Sequence, residues 1–434
     1  MRGFSSLLLI FCLTGCCASA APKVIPNTAT GKPARYAGNF SSRPVSLPET
    51  YVPRREMRGI WVATIENLDF KVSRSPEEFK QQFRRVIANL KAANFNAIFF
   101  QVRPLNDAFY PSACNPSSRF MLGTEGGSMG GFDPLKFMIE ICRQNNIEFH
   151  AWLNPYRVNG KAPVPKHQYL QTLHKKNFAK RYPDTVLEQK IGKIYSLFLD
   201  PGHPEVRAHI FNTVEELAKN YDIDGIHFDD YFYLYMDIGT IDQQSFRRYN
   251  PQKLSLAAWR RENVNRVIHG VHKRLRTISA QKGRNIQFGV SPFGIWANRK
   301  STPYGSLTGG KESYFVQFAD TRKWVRSGWV DYIAPQLYWA FSHDTAAYAA
   351  LTDWWCQTVK GTPVKLYIGH AVYRLGESRQ YSANELYWQL LYNNKKPEIS
   401  GSILFRYNNI FQPTNPVMSS GVQKVRQLWQ QPIR

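Results

Sequence analysis

The run Asp224-Gly225-Ile226-His227-Phe228-Asp229-Asp230-Tyr231-Phe232-Tyr233 joins paired carboxylates to aromatic rings at the end of a short apolar alternation. Ile226 and Phe228 alternate with His227 and Asp229, so in a strand of period two one set faces a helical layer and the other the interior of a barrel. Asp229 then points into the barrel mouth, where carboxylates at the carboxyl ends of strands do chemistry. Cleavage of a glycosidic bond usually needs two carboxyl groups, one to protonate the leaving oxygen and one as nucleophile or base. Asp229 is the one strand-borne acid with this orientation, and its partner must come from a loop. Asp107, in Arg103-Pro104-Leu105-Asn106-Asp107, is the preferred partner and Asp230 follows closely. Glu66 and Asp69 have only their location in favour, and Asp200 in Leu199-Asp200-Pro201-Gly202 reads as a turn residue before a helix.

Other chemistries find less support. The 10 His residues show no metal-ligand spacing on a helix face, since His269 and His272 lie in a basic stretch without an acidic third ligand. Gly289-Val290-Ser291-Pro292-Phe293-Gly294 is not a nucleophile elbow, and Gly123 to Gly131 reads as a rim loop, not a phosphate cradle. Neither a metal nor a cofactor is expected.

Eight short alternating runs supply the scaffold: 59–64, 97–103, 149–154, 225–230, 286–291, 332–338, 366–369 and 402–406. Amphipathic helices follow them. Ser75-Pro76-Glu77-Glu78 is a capping box with proline at the first helical position, ahead of Phe79, Phe83, Ile87 and Leu90 at helical spacing. Asp133-Pro134 opens the second helix, and later ones are predicted near 204–219, 259–278, 314–326, 346–359, 383–393 and 422–430. Strands alternating with helices give an α/β fold, a (β/α)8 TIM-type barrel occupying residues 56–434.

Strand parity also assigns the interior. With Ile98, Phe100 and Val102 under the helices, Gln101 and Arg103 point inward, as do His150, Trp152 and Asn154 on the third strand and Ser291, Gln336, Tyr338 and Arg406 on later ones. Loops beyond the strands add Tyr156, Arg157, Tyr231, Tyr233, Trp296 and Trp339. Aromatic faces of this kind stack on sugar rings, and amides and guanidinium groups bind hydroxyl and carboxylate groups. Taken singly, each aromatic is as well explained by loop packing.

The amino terminus speaks to location. Arg2, the apolar stretch from Phe4 to Leu13 and the lipobox-like Leu13-Thr14-Gly15-Cys16 describe a lipoprotein signal over 1–15, with Cys16 as lipidated first residue of the mature chain. Ala18-Ser19-Ala20 offers a rival small-residue cleavage site. Residues 16–55, rich in Pro, Ser, Thr, Ala and basic groups, read as a flexible tether. Cys114 and Cys142 are a weak candidate for a bridge, and buried free thiols account better for the scattered cysteines. The net charge of +24 implies an acidic partner or surface. Export argues against nucleic acid and for membrane headgroups and acidic wall polymers.

Several motifs, in order, are similar to a known family: Met57-Arg58-Gly59-Ile60-Trp61-Val62-Ala63-Thr64, Phe100-Gln101-Val102-Arg103-Pro104, His150-Ala151-Trp152-Leu153-Asn154-Pro155-Tyr156-Arg157, Leu199-Asp200-Pro201-Gly202, the Asp224 to Tyr233 run, Gly289-Val290-Ser291-Pro292, Asp331-Tyr332-Ile333-Ala334-Pro335-Gln336-Leu337-Tyr338-Trp339 and Ile403-Leu404-Phe405-Arg406. They resemble the glycosyl-hydrolase-like family of bacterial envelope lipoproteins that includes DigH, over nearly everything after Met57. The resemblance adds Trp61 to the candidate sugar-binding residues. It implies a TIM-type barrel, anchored in the outer membrane and facing the periplasm, that hydrolyses peptidoglycan glycan strands stripped of their stem peptides during cell division. Hydrolysis of another polysaccharide such as an α-glucan, and a non-catalytic glycan-binding barrel, are the alternatives. The pattern from Asp224 to Asp229 also resembles the fourth strand of α-amylase-like barrels, where the last Asp is the nucleophile. Ser291-Pro292 stands where those enzymes carry a Glu, so their full mechanism does not transfer.

If Cys16 carries the lipid, Cys16→Ala is expected to move the protein from the membrane to the soluble fraction. Unchanged membrane retention, with no lipid on wild-type Cys16 by mass spectrometry, would refute the assignment.

Overall fold

A computed structural model describes residues 23–160, 162–230 and 232–431, so the lipobox with Cys16, and Tyr231, lie outside the described residues. Eight parallel strands close into a barrel: β1 (Met57–Val62), β2 (Ala97–Arg103), β3 (Glu148–Leu153), β4 (Gly225–Phe228), β5 (Gln287–Val290), β6 (Tyr332–Ile333), β7 (Lys365–Ala371) and β8 (Ile399–Phe405). β8 pairs with β1 from Gly401↔Met57 to Leu404↔Ile60, which closes the ring. Outside it run α1 (Pro76–Ala92), α2 (Pro134–Gln144), α3 (Pro204–Asn220), α4 (Leu256–Lys282), α5 (Thr321–Arg326), α6 (Tyr348–Val359), α7 (Glu385–Asn394) and α8 (Pro416–Trp429).

Local chemistry explains the boundaries. Ser75 accepts from the Glu78 amide at 3.2 Å and caps α1, while the Glu78 carboxylate reaches back to the Arg74 amide, one residue earlier than a standard capping box. The alternation expected through Tyr338 gives only two residues of regular strand in β6. Pro335 offers no amide to a ladder, and beyond it the chain is held by the single bridges of Gln336 to Phe293 and to Gly369. The helix predicted over 314–326 is two short pieces, Ser313–Val316 and α5, because Phe318 is left-handed at φ 53° between them.

The segment expected to be a flexible tether is in large part packed. Lys23–Val24 pairs antiparallel with Ser46–Leu47, and Ile25, Ala34, Val45, Leu47 and Tyr51 join the main core. Tyr36 donates to Asp353 on α6 at 3.0 Å, and the Val52 amide donates to Asn394 at 2.8 Å. Proline-rich composition suggested an extended chain, yet a few apolar side chains spaced along it suffice to dock it. Cys114, Cys142 and Cys356 are free thiols, and the Cys114–Cys142 bridge does not form.

Two apolar layers follow strand parity. Ile98, Phe100 and Val102 meet the helices, where the Phe100 ring sits edge-on to Phe70 at 5.3 Å and to Phe83 at 5.9 Å. Inside, Trp61, Phe99, Trp152, Tyr332, Tyr367 and Ile403 form a separate cluster. Phe99 stacks on His150 at 4.5 Å, and His227 lies parallel to Tyr332 at 5.9 Å. Room for these rings is made on β5, where a Cβ on Gly289 would strike the ring of Tyr332.

Gly289→Ala is therefore expected to cost about 1–3 kcal/mol through overpacking, read as a lowered urea midpoint with unchanged secondary structure. An unchanged midpoint would show that the Tyr332 ring has space to move.

Candidate active site

Above the inner cluster the strand ends open into a cleft of about 450 Å³. Its wall includes Trp61, Trp152, Tyr338, Trp339 and Phe405, and the carboxylates on its lining are Asp229 and Asp230. β4 ends at Phe228, so both acids lie just past its last strand residue. Ile226 and Phe228 enter the outer core and His227 the interior, as alternation requires.

Asp229 is held by donors from three directions. Asn154 donates to its Oδ2 at 2.7 Å, Gln336 to its Oδ1 at 3.4 Å, and the Asp230 amide to Oδ1 at 2.9 Å. The Arg157 guanidinium stands 3.8 Å from Oδ2. Asn154 is itself oriented because Gln101 donates to its Oδ1 at 2.7 Å, while the Gln101 oxygen accepts from the Thr64 and Ile65 amides at 2.9 Å. Both oxygens of Asp229 are thus engaged by N–H groups of the protein. Asp230 has the opposite surroundings. Burial, then the charge of Asp229 and a side-chain hydrogen bond to it, raise the Asp230 carboxyl far above the ordinary range. Its Oδ2 is buried and has no partner among the described residues. Asp230 thus presents a carboxylic acid beside Asp229, the group needed for general acid catalysis.

Asp107 is elsewhere. It accepts from Ser118 at 2.6 Å and from the Leu105 amide at 3.0 Å, and it pins its own loop without lining the cleft. Burial pushes its carboxyl up to about 6. Glu66 is exposed on the adjoining cavity, Asp69 is buried against Arg406, and Asp200 accepts from Gly202 and Ser245 as a turn residue.

Of the other expected residues, Trp61, Gln101, Trp152, Arg157, Gln336, Tyr338 and Trp339 line the cleft, and Asn154 supports Asp229 from beneath. Tyr156 and Tyr233 are buried and line a second cavity of about 360 Å³, which shares Ile65, Arg157 and Tyr235 with the first. Three residues are displaced from their expected roles. A bulge between Gln101 and Arg103 puts Arg103 opposite Leu153, and it turns outward to the carbonyls of Asn154 and Pro155 and to His209 of α3. β8 has the opposite parity from that expected, so Phe405 faces the interior and Arg406 pairs with Asp69 at 2.7 Å. Trp296 stacks on Trp354 at 5.9 Å and donates to Asp320, away from the cleft. Sequence reasoning missed Tyr235, Phe293, Tyr373, Arg374 and Phe405 on the cleft wall. Tyr235 continues the aromatic run after Asp230, and that run was its available signal. Among the described residues no three His, Cys, Asp or Glu side chains cluster as a metal site.

A model of the glycosyl hydrolase-like 10 family matches residues 56–388. The chain is 39% identical over 365 residues to glycosyl hydrolase YngK of Bacillus subtilis (strain 168), a match spanning 82% of this chain and 69% of that protein. It is 35% identical over 431 residues to glycosyl hydrolase DigH of Escherichia coli (strain K12), spanning 94% and 92%. Among solved structures, the PgaB (BpsB) glycoside hydrolase domain from Bordetella bronchiseptica aligns with a TM-score of 0.52 at 15% identity, over 87% of this chain and 99% of that domain, a likeness of fold.

Asp229→Asn keeps shape and removes charge, so turnover is expected to fall by several orders of magnitude with folding intact. Asp107→Asn should leave most activity and change stability instead. Because the folded-state value of Asp107 is raised, its favourable contribution is complete below about pH 4 and is lost as pH rises through about 6. The Asn variant should lack that loss in denaturant titrations between those pH values. Equal activity losses in both variants would reject this division.

Proposed function

The chain belongs to the glycosyl hydrolase-like 10 family and is a glycoside hydrolase, and from that premise we propose that its substrate is the glycan backbone of bacterial peptidoglycan, in strands lacking stem peptides. The observation that carries this reading is the composition of the cleft around Asp229 and Asp230. Trp61, Trp152, Tyr338 and Trp339 offer ring faces for sugars, and Arg157 and Arg374 add positive charge to the same wall. Muramyl residues freed of peptide carry lactyl carboxylates, which suit guanidinium groups and a chain of net charge +24. The adjoining cavity lengthens the site beyond one sugar, as a polymer requires.

In this reading Asp230 protonates the leaving oxygen and Asp229 is the anionic partner. Gln101 and Asn154 hold Asp229 in place, and Arg157 and Gln336 fix it from the cleft side. The lipobox ending at Cys16 supports anchoring by lipid, in the outer membrane and facing the periplasm, where wall strands are processed during division.

Purified protein incubated with denuded strands, intact peptidoglycan and amylose is expected to release oligosaccharides with new reducing ends from denuded strands first, identified by mass spectrometry. Release from amylose alone would replace this substrate by an α-glucan.

A further inference from the structure

Two carboxyl groups that catalyse glycoside cleavage by themselves stand about 5–5.5 Å apart in retaining enzymes and about 6.5–9.5 Å apart in inverting ones. Such pairs flank the sugar, whereas Asp229 and Asp230 are consecutive residues just past the end of β4 and both come from one wall of the cleft. Among the described residues no third carboxylate lines the cleft, and Glu66 opens on the adjoining cavity. An acid and its neighbour on one side of the sugar leave the attacking position without a protein group.

We infer that the nucleophile is the carbonyl oxygen of the substrate's own 2-acetamido group, oriented by Asp229, with Asp230 acting first as acid and then as base. The inference rests on the peptidoglycan reading, whose sugars all bear this group, and it narrows the substrate to 2-acetamido sugars at the cleaved bond. In the first step the acetamido oxygen bonds to C1 as the bond from C1 to the leaving oxygen breaks. Asp230 delivers its proton to that oxygen. The acetamido N–H donates to the Asp229 carboxylate, which stabilises the positive oxazolinium ring so formed. In the second step water bonds to C1 and gives one proton to the Asp230 carboxylate. The bond from C1 to the acetamido oxygen breaks, and both the acetamide and the acid are restored. The sum is one glycoside plus one water giving two sugars, with configuration retained at C1.

The buried, unpartnered Oδ2 of Asp230 is consistent with a proton kept for a substrate oxygen, and the rings of Trp61, Trp152 and Phe405 supply an apolar wall for the acetyl methyl. Asp229 is held by Asn154 and Gln336, so its orientation is set before a substrate binds.

The test is calorimetric binding of the thiazoline derived from N-acetylglucosamine, a stable mimic of the bicyclic intermediate, against N-acetylglucosamine itself. The thiazoline should bind at least about 100-fold tighter, as expected of an analogue of a reaction intermediate, and Asp229→Asn should lose that preference while keeping its affinity for the free sugar. Equal binding of the two probes to the wild type would overturn the inference. So would inverted product seen by NMR, or a Glu66→Gln variant that loses turnover on denuded strands as severely as Asp229→Asn. Tight thiazoline binding by a protein that leaves denuded strands uncut would uphold the acetamido mechanism and reject the polymer. Strand cleavage without thiazoline preference would do the reverse.

Discussion

A closed parallel barrel has no free edge and an interior filled by side chains, so a polar side chain that alternation turns inward is best satisfied by a partner there. The chain built on His227 meets that constraint. Trp61 can only donate, and it donates to Nε2 of His227 at 3.1 Å, which fixes the imidazole with its proton on Nδ1. That proton goes to the Tyr332 hydroxyl at 3.1 Å, and the hydroxyl hydrogen is left for Nδ1 of His150, also at 3.1 Å. His150 Nε2 then meets Glu148 at 3.2 Å at the amino end of β3. Burial holds His227 well below its ordinary pKa, in keeping with a neutral link. One directed chain therefore crosses the interior from β1 through β4 and β6 to β3, and the floor of the cleft is locked.

On that floor the candidate active site is a problem of relative placement. Asp229 follows β4, Asn154 follows β3, Gln101 belongs to β2, and Gln336 follows β6. Each donor is fixed by a strand or by backbone just past one, so the field on Asp229 exists before substrate arrives. Donors arranged in advance need no reorganisation during reaction, which is the main economy available to such a site. The loops supply the walls, where aromatic rings can vary without disturbing the floor.

Much of this was legible in the residues, and the failures have separate physical causes. Eight apolar alternations gave the barrel, and parity on β4 placed Asp229 correctly because four regular residues precede it. Parity failed for Arg103 because a bulge is invisible to a period-two count, and for Arg406 because counting from its end of β8 began on the wrong face. Asp107 looked catalytic because it is an acid in a loop after a strand, but Ser118, eleven residues on, claims its carboxylate. The packed segment from Lys23 was missed because its apolar residues are spaced for docking onto a preformed surface, not for a helix or strand of its own.

The same limits bear on the choice between Asp107 and Asp230. Had β4 continued as a strand through Asp230, alternation would have sent the two neighbouring carboxyls to opposite faces, one toward the cleft and one under the helices. Ending the strand at Phe228 releases both from that rule and lets them meet on one side of the cleft. Meeting there has a consequence that no separate placement has: the charge of Asp229 opposes ionisation of its buried neighbour Asp230 where little solvent screens it. Asn154 and Gln336 donate to Asp229, while burial and the neighbouring charge of Asp229 raise the carboxyl of Asp230, so the proton is kept on Asp230. The pairing of these two carboxyl groups in the cleft is made by the point at which one strand stops.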